Sequence, residues 1–198
     1  MKRIQPIVEG DGDAKAVPVL LRKILESHEI FDYKILQVQR RGEYPAVDKN
    51  FDNFFQAATK EKAPILWVMD FDSKHYVCPV IESKKLLSRA SALRPGWPIK
   101  IAFLVKEYEA LFLVDEAATR AVFPDISNKV IFPGKPEDIR DAKCWLSKHR
   151  PTGLAYKETV HQEKITAQLN IDLLRARSSD FAHLERAIVE LANSVIPT

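Results

Sequence analysis

Residues 65–72 read Ile-Leu-Trp-Val-Met-Asp-Phe-Asp, and residues 4–13 read Ile-Gln-Pro-Ile-Val-Glu-Gly-Asp-Gly-Asp. Each is an apolar run, strand-like in composition, that ends in acids. A continuous apolar run suits a strand buried on both faces, as in a parallel sheet. The first run leaves Glu9 at a glycine turn before a helix, and the second leaves Asp70 and Asp72 at the next break. Parallel strands place their carboxyl ends on one edge of the sheet, where α/β folds hold ligands. Glu9, Asp70 and Asp72 are therefore expected to meet there. Gathered carboxylates repel one another unless a cation neutralises them. The pattern points to a divalent metal site and to phosphate chemistry.

The flanking sequence extends this reading. Gly10 and Gly12 punctuate the first turn, and residues 14–25 carry apolar side chains at helical spacing, with Pro18 in the early turns or at the true start. Residues 33–38 read as a second strand, followed by a polar loop at Arg40-Arg41-Gly42. Residues 51–59 and 80–93 read as helices, and residues 99–105 as another buried strand. Strands that alternate with helices in this way imply βαβ units and a parallel sheet. From Lys106 onward the pattern turns helical. Helices are expected over 107–114, 116–122 and 138–148, with looped sequence around Pro124, Pro133, Gly134 and Pro136. Residues 158–195 are helical in periodicity, with a break near Arg177-Ser178-Ser179-Asp180 where Ser178 or Ser179 would cap the last helix. The expected organisation is an α/β core over residues 1–110 and a mostly helical elaboration over 111–198 packed on it.

Composition excludes several classes. At 198 residues and 46% hydrophobic, the chain can bury a sizeable core without a disulfide or metal staple. Its net charge of +3 does not by itself announce a nucleic-acid partner. Cys78 and Cys144 lie far apart in no paired motif, which argues for a reducing compartment and against a zinc knuckle. No window approaches the roughly 18 apolar residues of a membrane span, and the first residues run directly into a strand. A cytoplasmic protein with no membrane association is expected. No Gly-x-Ser-x-Gly elbow is present, which disfavours a serine hydrolase. Glu-Gly-Asp-Gly is not a phosphate loop either, because it lacks the Gly-Lys-Ser/Thr ending and its acids repel phosphate.

Other acids sit close enough in sequence to join the first three. Asp11 and Asp13 follow Glu9, and Glu107 and Glu109 follow the last strand. Mg²⁺ or Mn²⁺ favours such oxygen ligands and keeps waters for a phosphate substrate. Asp13 serves equally well as a helix cap. Lys143, Lys157, Arg175 and Arg177 would hold phosphates if the helical half folds over the acidic edge; otherwise they form a solvated helix face. His75, three residues after Asp72, would join a metal shell or, more simply, sit in a surface loop.

These motifs resemble the Toprim domain of topoisomerases, primases and overcoming-lysogeny-type nucleases. There a Glu follows the first strand and an Asp-x-Asp follows a later one, the places held here by Glu9-Gly10 and Asp70-Phe71-Asp72. A second acid often stands four residues after the Glu, where this chain has the shorter Asp13. Over nearly its whole length the sequence is similar to a family of small bacterial Toprim-like proteins, a domain of unknown function. The similarity rests on Val8-Glu9-Gly10, Pro18-Val19-Leu20-Leu21, Asp70-Phe71-Asp72 and the stretch Glu107 to Leu113. It continues through Pro136-Glu137, Asp141-Ala142-Lys143, Tyr156-Lys157 and Arg175 to Phe181. A Trp is usual near Phe112, where this chain departs. The resemblance implies a Toprim-like parallel sheet sandwiched by helices and a Mg²⁺- or Mn²⁺-dependent nuclease. In it Glu9, Asp70 and Asp72 would act as catalytic metal ligands, with Asp13, Glu107 or Glu109 completing the shell. It also implies an ABC-type ATPase partner and a part in phage defence. The alternative is a non-catalytic Toprim-like scaffold that binds an ATPase or nucleic acid.

Overall fold

The computed structural model describes residues 1–71, 78–135 and 139–197. Five strands form one parallel sheet: β1 (Lys2–Val8), β2 (Tyr33–Ile35), β3 (Gln39–Arg40), β4 (Ile65–Phe71) and β5 (Ile99–Val105). Their order is β2-β1-β4-β5, with β3 continuing the line of β2 along β1. The α/β class and the parallel sheet flanked by helices are as the sequence leads one to expect.

The expected strand over 33–38 stops at Ile35, a second short strand follows at Gln39–Arg40 where the polar loop was expected to open, and Pro6 explains the break between them. The Gln5 N–H points toward β4, where it reaches the Pro64 carbonyl at 2.8 Å. The next donor along β1 would face β2 and β3, and Pro6 has none to offer. The buried Gln5 side chain compensates, its Nε2 donating to the Gln37 and Pro6 carbonyls at 2.8 and 2.9 Å.

The two faces of the sheet bury different helices. Ile65, Trp67, Met69 and Phe71 pack with Phe51, Phe55 and Leu86 under α2 (Tyr44–Thr59) and α3 (Pro79–Leu93). The alternate residues Leu66 and Val68 face α1 (Asp11–Ser27) and the carboxyl-terminal helices. Because side chains alternate along a strand, Asp70 falls in phase with Leu66 and Val68. That phase turns it toward the face that the later part of the chain covers.

The helices of that later part are α4 (Ala110–Val114), α5 (Glu116–Val122), α6 (Ala142–Lys148), α7 (Glu158–Gln168), α8 (Ile171–Arg177) and α9 (Ser179–Ala192). Helix α9 packs across β5, β4 and β1. Ser178 caps it as expected, its hydroxyl accepting the Phe181 N–H at 3.1 Å. Several boundaries differ from expectation: α1 begins at Asp11, α2 at Tyr44 rather than at residue 51, and α6 at Ala142. Helix α4 begins at Ala110, because Lys106 takes a left-handed conformation (φ 75°) that turns the chain before a helix can start. The final helical stretch breaks a second time at Asn170, whose side chain caps α8 through the Leu173 N–H at 3.0 Å. Among the described residues no helix is long and apolar enough to cross a membrane.

Candidate functional site

The chain leaves β1 toward β2 on one side and returns to β4 on the other, so the strand order reverses between β1 and β4. Open α/β sheets bind ligands at the carboxyl ends of strands at such a reversal. Glu9 stands just past the end of β1, and Asp70 is next to last in β4. The Glu9 carboxylate accepts the Asp70 backbone N–H. Asp70 Oδ1 accepts the Tyr108 N–H at 2.8 Å, which ties it to the turn after β5.

That turn delivers Glu109, which is 0% exposed. Its Oε1 accepts the Tyr156 hydroxyl at 2.7 Å, while its Oε2 has no hydrogen-bond partner among the described residues. The Lys143 ammonium lies 3.8 Å from Glu109 Oε2, 3.9 Å from Asp70 Oδ2 and 2.8 Å from Glu158 Oε1. Glu107 holds the start of α6 in place by accepting the Lys143 N–H at 3.1 Å. Asp13 is shared: its Oδ2 accepts the Gly10 N–H at 3.0 Å, and its Oδ1 accepts Gln162 Nε2 at 2.7 Å.

Helices α1 and α7 bring these groups together. Lys15 Nζ reaches the Thr159 carbonyl and Lys23 Nζ the Ala167 carbonyl, so the two helices run side by side in the same direction. Gly12 permits this approach. A Cβ at that position would overlap the Gln162 side-chain oxygen and come within 2.9 Å of Glu158 Cβ. The amino ends of both helices therefore lie at the acidic edge, where their partial positive charge favours anions.

The electrostatics are those of crowded, partly desolvated carboxylates. Burial, then Asp13 and Glu43, push Glu9 up to about 7. Burial raises Asp70 well above the usual carboxylate range, and Glu109, Asp13 and Glu9 add to the effect. Glu109 is also raised, by burial first, although Lys143 and the Tyr156 hydroxyl pull the other way. Burial raises Glu107 as well. Burial opposes the charge on Lys143, but Glu109, Glu158 and Asp70 outweigh it and hold the ammonium above its ordinary range.

Of the expected site residues, the structure brings together Glu9, Asp13, Asp70, Glu107, Glu109 and Lys143. Asp72 and His75 lie outside the described residues. Asp11 is ion-paired with Arg40 at the margin. Lys157 is exposed beside Tyr156 and Glu158. Arg175 is not at this edge. It is bound to Glu185 through Nε and Nη2 and to Asp172, near Ser27 at the far end of α1, about 24 Å from its start at 1.5 Å per residue. Arg177 lies near Glu116 and Phe132. Among the described residues no three His, Cys, Asp or Glu side chains stand together as a ready metal-holding group. Lys143 occupies the space between them. Sequence spacing did not single out Tyr156, Glu158 or Gln162, which touch Glu109, Lys143 and Asp13. Their roles depend on how α7 packs; the signals in the sequence were that Tyr156 and His161-Gln162 match the family-like pattern, the latter explained equally well by packing.

Residues 8–188 match the family model described as Domain of unknown function (DUF4276), and the chain belongs to that family. No curated protein matches it. Among solved structures, the C-terminal region of the Burkholderia pseudomallei OLD protein is similar at 15% identity, covering 96% of this chain and 97% of that one with a TM-score of 0.44. That likeness is too distant to carry a residue's role across.

Proposed function

We propose that the acidic edge is the metal centre of a nuclease that cleaves nucleic-acid phosphodiesters with Mg²⁺ or Mn²⁺. The observation that carries this reading is the wholly buried Glu109, whose Oε2 lacks a hydrogen-bond partner among the described residues and which lies beside Asp70, itself next to Glu9, at the strand reversal. A bare buried carboxylate oxygen is costly, and a hard cation satisfies it with the oxygen donors it prefers. Glu9, Asp70 and Glu109 would hold the ion, with Asp13, Glu107 and Asp72 as further donors. An ion held there supplies Lewis-acid chemistry to the phosphodiester and its attacking water. Lys143 stays protonated among the acids and offsets the charge that develops on the phosphate. Lys157 adds an exposed cation at the rim. The Toprim resemblance read from the sequence supports the same chemistry, and it suggests an ABC-type ATPase partner and phage defence as the setting.

One observation favours the scaffold reading. Lys143 already supplies a positive charge near Asp70 and Glu109 from within the chain, so the fold partly neutralises its own acids. The test is cleavage of labelled DNA and RNA, single- and double-stranded, with Mg²⁺ or Mn²⁺ against EDTA, for the protein alone and with a co-encoded ATPase. The nuclease reading expects metal-dependent cleavage that Glu9→Gln and Asp70→Asn abolish. If no substrate is cut while wild type and Glu9→Gln bind the ATPase equally well, the scaffold reading replaces it.

A further inference from the structure

The acids at this edge each have an oxygen fixed by a donor, but the donors differ in kind. Backbone N–H groups fix Glu9 and Asp70. Glu109 is fixed by a side chain, the Tyr156 hydroxyl, at 2.7 Å. Tyr156 is well placed for this. It is 8% exposed, and its ring centroid lies 6.4 Å from those of Phe112 and Phe123 and 5.8 Å from that of His161. Its N–H donates to Ser147 Oγ at 3.1 Å, and Arg150 Nη1 donates to the preceding carbonyl of Ala155 at 3.1 Å. Burial and the neighbouring Glu109 raise the phenol above its ordinary range, so it keeps its proton and donates it.

We propose that Tyr156 is a positioning residue: its hydroxyl holds Glu109 Oε1 so that the bare Oε2 faces the acidic edge as a cation ligand. The assignment rests on the metal-centre reading above. Partners that orient a metal ligand through a hydrogen bond typically contribute about 10- to 100-fold in metal affinity. Without the hydroxyl, the Glu109 carboxylate loses the side-chain hydrogen bond described above and is free to turn toward Lys143.

The test is calorimetric titration of Mn²⁺ into the full chain, freed of metal beforehand. Tyr156→Phe removes one oxygen atom and keeps the ring. Tyr33→Phe is the control, because its hydroxyl donates to the Leu191 carbonyl at 3.4 Å, beside Lys2 at the opposite end of the strands from the acids. We expect Mn²⁺ to bind about 10- to 100-fold more weakly to Tyr156→Phe and within about twofold of wild type to Tyr33→Phe. In a Glu109→Gln background, adding Tyr156→Phe should cause no further loss, because the ligand it positions is gone. Equal affinity in wild type and Tyr156→Phe overturns the assignment alone. So does an equal loss in Tyr33→Phe, or a full further loss in the Glu109→Gln background. Failure of wild type to bind Mn²⁺ overturns the metal-centre reading and this assignment with it.

Discussion

Glu9→Gln is expected to stabilise the metal-free protein while removing its response to metal. The fold opposes ionisation of Glu9, lifting it from its ordinary 4.5 to about 7 through burial and the nearby Asp13 and Glu43. A group raised in this way binds its proton more tightly when folded, so stability falls as pH rises between the two values. Keeping it ionised above pH 7 costs up to about 3 kcal/mol, at roughly 1.4 kcal/mol per pH unit. Glu9 is only partly buried, and solvent screening reduces the figure to about 1–2 kcal/mol. Gln is neutral, nearly the same shape, and still accepts the Asp70 N–H. The two proteins should therefore be equally stable near pH 4 and diverge up to pH 7. In EDTA at pH 8.5 the variant should melt roughly 2–8 °C higher, since each kcal/mol shifts a chain of this size by about 2–4 °C. Scanning calorimetry across that pH range measures the difference directly. With Mn²⁺, wild type should gain stability and the variant should not. A variant that melts below wild type at pH 8.5, or a difference that does not grow with pH, refutes the reasoning.

Two further outcomes follow from packing. Gly12→Ala should destabilise by about 1–3 kcal/mol, read as a lower urea midpoint, although the same change in an open helix usually stabilises by about 1 kcal/mol; a stabilised variant would show that α1 and α7 do not approach as described. Arg175→Ala should lower stability by about 1–2 kcal/mol by leaving the buried Glu185 with the His28 ring as its hydrogen-bond partner among the described residues. It should leave the salt dependence of nucleic-acid binding unchanged, and a shallower slope would place Arg175 on the substrate path.

Strands β1, β4 and β5 were legible because both faces of each are buried, which leaves a continuous apolar run in the sequence. The break between β2 and β3 was not, since it depends on which side of β1 the missing Pro6 donor faces. The second break in the final helical stretch went unread because Leu169-Asn170 holds neither Gly nor Pro. At the site, the gathering of Glu9 and Asp70 follows from strand direction alone. The position of Lys143 among them does not, because it is set by α6, which Glu107 holds against the turn after β5. Arg175 and Lys143 looked alike as basic residues in family-like stretches. Only the packing of their helices separates a residue tied to Glu185 from one that faces three carboxylates.

The close approach of α1 and α7 at Gly12 also fixes when the acidic edge can exist. As the chain is synthesised, all five strands and the acids Glu9, Asp70 and Glu109 emerge before residues 156–162, which supply the contacts to Glu109, Lys143 and Asp13. Contacts so distant in sequence form late, because a long loop must close before they are rewarded. Until then the strands lack the cover of α9, α1 lacks α7 to pack against, and the acids lack the partners that hold them. An incomplete chain on the ribosome therefore carries the acids of this edge without the geometry that holds them, which is complete only when α7 docks.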